Sequence, residues 1–209
     1  MRSVLFLLAA SAYAQTVTPY SAEETSTRTQ FLSEGTRVAE KTVTGHLYRD
    51  PQGRTRTERV ISPGTPNETL IVEIADPAAN VRYSLDTRNK IAHRAPLATT
   101  KSRVAEVVPA DDTASQQQYG QESLGQRMIA GVLTEGRRIV TTILPAATSN
   151  DHLTVMTTEM WFSNTLGLTL SSTVTDPRAG TTTYSITNIA LTAPDASLFQ
   201  IPSDYSSSN

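Results

Sequence analysis

The sequence contains no cysteine in its 209 residues. That excludes disulfide staples, thiolate metal ligands, a cysteine nucleophile and the lipid-bearing cysteine of a bacterial lipoprotein. Stability must come from a packed core. Aromatic residues make up only 6%, with one tryptophan, so the core must rest on Val, Ile, Leu and Ala. Neither charge sign dominates: 18 Lys+Arg against 20 Asp+Glu give a net charge of −2. No half of the chain is strongly basic, so nothing draws it to nucleic acid or to an anionic membrane. No apolar run reaches the roughly 20 residues of a membrane-spanning helix. Heptads and solenoid-period repeats are missing too.

What is present begins with a targeting pattern. Met1-Arg2 is a short positive start, Val4 to Ala10 (VLFLLAA) a compact apolar run, and Ala12-Tyr13-Ala14 a small-x-small cleavage signal. Together they predict a signal peptide over residues 1–14 and a mature chain from Gln15. We expect the product to be periplasmic or secreted, with residues 15–209 forming one all-β domain.

Thr and Ser are abundant, and β-branched Thr suits a half-buried pleated surface. Strands are expected over Tyr20–Leu32, Thr36–Arg49, Arg54–Ile61, Glu68–Asp76, Val81–Asp86 and Lys90–Leu97. A turn at Asp50-Pro51-Gln52-Gly53 joins two of them, with Pro51 setting φ and Gly53 free to take φ > 0. Residues 98–120 are polar and read as a surface loop, with a short helix near Val104–Val108. The second half resumes at Gln126–Leu133, turns at Thr134-Glu135-Gly136 and returns along Arg137–Leu144. Leu153–Phe162 carries apolar residues on both faces, as a doubly covered strand would. Leu166, Leu168, Leu170 and Val174 alternate with Thr and Ser, turn at Asp176–Gly180, and pair back along Thr181–Leu191.

No motif demands a particular reaction. His46, His93 and His152 stand apart, with no His-x-x-x-His or Glu-x-x-His spacing, so no metal site or cofactor is expected. Gly120-Gln-Glu-Ser123-Leu-Gly125 has the wrong spacing for a nucleophile elbow. There is no Gly-rich phosphate loop. The carboxylates sit in polar alternation and read as solvated. Arg49, Arg54, Arg56 and Arg59 cluster on one hairpin, balanced by Asp50 and Glu58. We therefore expect a protein that is not an enzyme.

Non-covalent binding remains. A curved antiparallel sheet has one apolar face to cover, and this chain offers little helix for the purpose. The only cover segments are Val104–Val108 and Asp195–Phe199. An accessible apolar groove lined by Tyr83, Leu85, Trp161, Leu168, Leu170, Tyr184 and Ile186 is one expectation. Plain core burial of the same residues is the other.

Four segments carry a resemblance. They are Tyr48-Arg-Asp-Pro-Gln-Gly-Arg-Thr-Arg56, Ile74 to Asp86, Glu122 to Gly136, and Trp161 to Tyr205 with its ending Ser-Leu-Phe-x-x-Pro-x-x-Tyr. Together they resemble a family of secreted bacterial proteins similar to the periplasmic lipoprotein-carrier half-barrels of the LolA/LppX type. The resemblance implies a mainly β fold: a strongly curved antiparallel half-barrel with few short helices and an apolar concave side. In the carriers that side holds acyl chains, and in related sigma-factor regulators of the RseB type a similar domain senses envelope stress. It thus implies an exported binding protein for a lipid or lipoprotein acyl chain. An envelope interaction or stress-sensing module, with a protein partner and no ligand, is the alternative.

Overall fold

The computed structural model describes residues 17–31, 37–97, 117–143 and 153–208. The expected signal peptide, the helix expected near Val104–Val108 and His152 lie outside them. The described residues form twelve strands. In the first half these are β1 (Tyr20–Phe31), β2 (Arg37–Arg49), β3 (Thr55–Ile61), β4 (Thr69–Asp76), β5 (Val81–Asp86) and β6 (Ile91–Pro96). The second half adds β7 (Gln117–Ile129), β8 (Val132–Ile143), β9 (Thr154–Ser163), β10 (Leu168–Asp176), β11 (Gly180–Ala190) and β12 (Ser206–Ser208). One 3₁₀ turn, Ala196–Phe199, precedes β12.

All twelve strands belong to one open sheet, in the order β12-β6-β5-β4-β3-β2-β1-β11-β10-β9-β8-β7. β1 sits near the middle and pairs with both β2 and β11. Two meanders run outward from it, and the chain passes from one side of the sheet to the other between β6 and β7. The sheet is mainly antiparallel, as expected, but β12 lies parallel to β6. Register shifts interrupt the β1–β2, β1–β11, β9–β10 and β7–β8 pairs. Such bulges bend strands and increase local twist, which suits a curved open sheet.

The turns follow local chemistry. Asp50 is buried, and its carboxylate accepts from the backbone N–H of Gln52 (3.0 Å) and Arg54 (2.8 Å) and from Arg54 Nε (2.6 Å). Gly53 beside it has φ +82°. Asp76, Asp86 and Asp176 repeat the device, each accepting a backbone N–H two or three residues on.

Three readings are corrected. The expected loop over 98–120 is too long, because Gln117–Gly120 already belong to β7. The hairpin after it turns at Ala130-Gly131, both at positive φ, and not at Thr134–Gly136. Two residues at φ > 0 match the twist of the flanking strands. Gly136 lies inside β8, where the Trp161 ring takes the space of a β-carbon. Finally, β9 is not covered on both sides: Val155 is 39% exposed and Phe162 37%.

Two buried clusters hold the sheet. One joins Tyr20, Ala22, Leu47, Val132, Leu166, Leu170 and Ile186, with Leu168 and Tyr184 against it. The other joins Val72, Ile74, Leu85 and Ala92, with Tyr83, Ile201 and Tyr205 against it. Strand register places Leu47 in line with Thr57 and Glu73, whereas Tyr48 is in line with Arg56, Ile74 and Tyr83. Neighbours in register share a face and successive residues alternate. Leu47, Ala22 and Ile186 therefore face one side of the sheet, and Val72, Ile74, Tyr83 and Leu85 the other. These parts of the two clusters lie on opposite faces; Leu168 and Val132 of the first lie beyond the β9–β10 register shift, on the side of Ser163 and Trp161.

Candidate functional site

The face of Val72, Ile74 and Leu85 is closed by the chain's own end. After β11 the segment from Leu191 crosses it and finishes beside β6. Asp195 caps the 3₁₀ turn by accepting from Ser197 N (2.9 Å). Phe199 is buried, with the Arg54 guanidinium 5.2 Å from its ring centroid. Arg56 Nη1 donates to the Leu198 carbonyl at 2.9 Å. Ile201 and Tyr205 pack on the cluster, and Lys90 holds the end by pairing with Asp204 (3.3 Å) and lying over the Tyr205 ring. The Ser-Leu-Phe-x-x-Pro-x-x-Tyr ending is thus a strap, and Tyr83 and Leu85 are its bed.

On the other face, near the centre, lies a buried ion pair that the sequence reading missed. Glu24 is only 4% exposed, so its carboxylate is not solvated. Arg59 Nε pairs with its Oε1, Arg59 Nη2 donates to Oε2 at 3.2 Å, and Tyr184 Oη donates to Oε2 at 3.0 Å. Burial, and then the nearby carboxylate, push the Tyr184 phenol well above its ordinary range. Arg59 is raised by its hydrogen bond to Glu24. Gly45 leaves room for the pair, since a β-carbon there would stand 2.8 Å from Glu24 Oε1. The remaining arginines of the cluster are also ties: Arg54 to Asp50, Arg56 to Glu58, and Arg49 to the Thr18 and Leu166 carbonyls. They form no anion patch. Among the described residues, no three His, Asp or Glu side chains gather as a metal site would require.

The same face continues outward over β10, β9, β8 and β7. Tyr184 is in register with Ser172, Ser172 with Met160, Met160 with Arg137, and Arg137 with Ser123. The adjacent row runs Phe162, Glu135, Gln126, and the next pairs Leu133 with Met128. Phe162, Leu133 and Met128 are all exposed, at 37%, 49% and 62%. Glu135, Arg137, Met160, Phe162 and Asn164 line a recess of about 250 Å³. A second recess of about 450 Å³, lined by Gln121, Ser123, Gly125 and Gln126, shares Glu135 and Arg137 with it. Here the sheet presents apolar side chains, and among the described residues no strap lies above them.

The seven residues expected to line a groove are therefore divided. Leu168, Leu170, Tyr184 and Ile186 gather in one cluster, Tyr83 and Leu85 lie on the opposite face, and Trp161 joins neither cluster. The Trp161 ring packs against Gly136, and the Arg127 guanidinium sits 3.7 Å from its centroid. Met160, Phe162, Leu133 and Arg137 were not singled out. Met160 and Phe162 were read as one side of a doubly covered strand, and only the missing cover sets them apart.

No protein-family model matches the chain, and no curated protein sequence matches it. Among solved structures, MucB is similar at 13% identity and a TM-score of 0.43, over 91% of this chain and 58% of MucB. The chain thus spans less than two thirds of MucB's length. Lipoprotein LppX of Mycobacterium tuberculosis is similar at 10% identity and a TM-score of 0.31, over 86% of this chain and 90% of LppX. An outer membrane lipoprotein-sorting protein domain from Vibrio parahaemolyticus is similar at 8% identity and a TM-score of 0.26, over 88% and 90%.

Proposed function

We propose that this chain is an exported, non-catalytic binding protein that holds an apolar ligand, such as a lipid acyl chain, on the Tyr184–Met160 face of its open sheet. The observation that carries the reading is the asymmetry of cover. The eighteen residues Leu191 to Ser208 close one apolar face, yet Met128, Leu133 and Phe162 are exposed on the other among the described residues. Exposed apolar groups clustered on one face mark interaction sites more often than singly scattered ones do. In this reading Tyr184 and Ile186 form the floor near the centre, and Met160 and Phe162 the contact surface, while Leu168, in register with Ser163, faces away from Phe162. Tyr83 and Leu85 serve only as core.

The test is mass spectrometry of organic extracts from the protein purified out of the periplasm. Co-purifying lipid in amounts near one per chain is expected. A lipid-free protein that also shows no thermal shift with fatty acids would refute the reading. Export is tested by N-terminal sequencing of the periplasmic fraction, where a start at Gln15 is expected.

One observation favours an envelope interaction module instead. β7 is a thirteen-residue strand at the end of the sheet order, and among the described strands it has a neighbour on one side only, leaving the other for strand addition. That reading predicts a protein partner crosslinked through β7 and no extracted lipid.

A further inference from the structure

The exposed face of β7–β9 mixes apolar Met128, Leu133, Met160 and Phe162 with polar Ser123, Gln126 and Glu135, and carries one cation. Arg137 stands where the two recesses meet, in register with Met160 and one row from Phe162. Its neighbour Arg138 points to the opposite face and is neutralised there, by Glu122 (2.9 Å) and Glu159 (2.7 Å). Those two carboxylates are out of reach of Arg137. Among the described residues of β7–β9, the acid on its own face is Glu135, two residues away, whose Oε1 accepts from Gln126 Nε2 at 3.4 Å. Arg137 forms no ion pair among the described residues. A guanidinium presents a planar fork of donors that matches a carboxylate. Beside it, Met160 and Phe162 offer a contact surface for hydrocarbon, and methionine adapts to irregular apolar partners.

Size narrows the occupant. A recess of about 250 Å³ falls just below the usual range of ligand pockets, roughly 300–1,000 Å³. It accepts one chain and not two, with the remainder lying over Phe162 and Leu133. Building on the binding reading above, we infer that Arg137, with the Met160–Phe162 recess, forms a subsite for a single-chain anionic amphiphile of the fatty-acid type. The carboxylate sits at Arg137 and the chain runs along β9. Glu135 tempers the positive potential, so it lowers the affinity for the anion.

The experiment uses the full mature chain with decanoate and 1-decanol, which share a chain and differ in head charge. Both are titrated by NMR below micelle-forming concentrations. We expect decanoate to bind at least about fivefold tighter than decanol, in keeping with one charge-assisted contact at a solvated site. Arg137→Met should abolish that preference while leaving decanol binding within about twofold. Glu135→Gln should widen it. Equal binding of the two probes, or a preference that survives Arg137→Met, overturns the anionic subsite but not the apolar face. If neither probe binds, the inference and the reading beneath it both fall.

Discussion

The indole of Trp161 lies flat against Gly136: a β-carbon at that glycine would stand 2.6 Å from two of the ring carbons. The Arg127 guanidinium lies over the ring, 3.7 Å from its centroid. Gly136→Ala therefore forces the indole or β8 to move, an overpacking change that costs about 1–3 kcal/mol. Because Trp161 is the sole tryptophan, its fluorescence reports the displacement directly. A shift of the emission maximum together with a lower urea midpoint is expected. The penalty should shrink when Trp161 is also replaced by Leu, which a double-mutant cycle would detect.

That contact also shows what the sequence could and could not reveal. The Asp176–Gly180 hairpin is legible because its chemistry is local: Asp176 takes the Arg178 N–H, and Gly180 supplies φ +96°. Gly131 and Gly136 both sit in alternating stretches and both look like turns. What decides between them is an indole from another strand. The same limit explains the divided groove. Alternation shows that Tyr83 and Leu85 share a face, as do Tyr184 and Ile186, but not that the two faces differ. Only the register of Leu47 against Thr57, and of Tyr48 against Arg56, settles that. Glu24 looked solvated because its cation, Arg59, comes from a distant strand.

The Glu24–Arg59–Tyr184 network should dominate the response to high pH. Glu24→Ala strips a buried partner from both neighbours. Arg59 can turn to water, being about half exposed, so we expect a loss of about 2–4 kcal/mol, below the full penalty for a broken buried pair. Tyr184→Phe removes one hydrogen bond to a charged acceptor, about 1.5 kcal/mol. The Tyr184 phenol is raised in the folded state relative to its ordinary value of 10.0. The folded protein thus holds its proton more tightly than the unfolded chain. That contribution is fully present below pH 10 and is lost as pH rises beyond it. Urea midpoints measured from pH 8 to 11 should fall, and Tyr184→Phe should flatten the fall above pH 10.

The aspartates of the turns should govern the acid limb. Asp86 is depressed mainly by the Asn89 backbone N–H, and Asp176 by that of Arg178. Groups lowered in the folded state stabilise above their unfolded value, near 4, and lose that contribution as pH falls through the lower folded one. Asn at either position keeps an oxygen to accept the N–H but does not titrate there. The double variant Asp86→Asn/Asp176→Asn should therefore lose less stability than the parent between pH 4 and 2. Thermal melts at intervals of half a pH unit would reveal the difference in slope.

The opposite faces of the sheet allow function and stability to be separated. Leu85 lies buried under the strap, so Leu85→Ala should cost about 2–5 kcal/mol by opening a cavity. It should leave the affinity for an apolar ligand unchanged once the protein is studied below its transition. Phe162 is exposed, so Phe162→Ser should change stability by less than about 1 kcal/mol. If the uncovered face is the binding surface, the same substitution should weaken ligand binding by about tenfold, since it removes a large apolar contact. Calorimetric titration with a fatty acid, paired with urea unfolding of the same two variants, makes the comparison. The reverse result, with affinity lost on changing Leu85 and kept on changing Phe162, would place the ligand beneath the strap and require the chain's end to move before anything could bind.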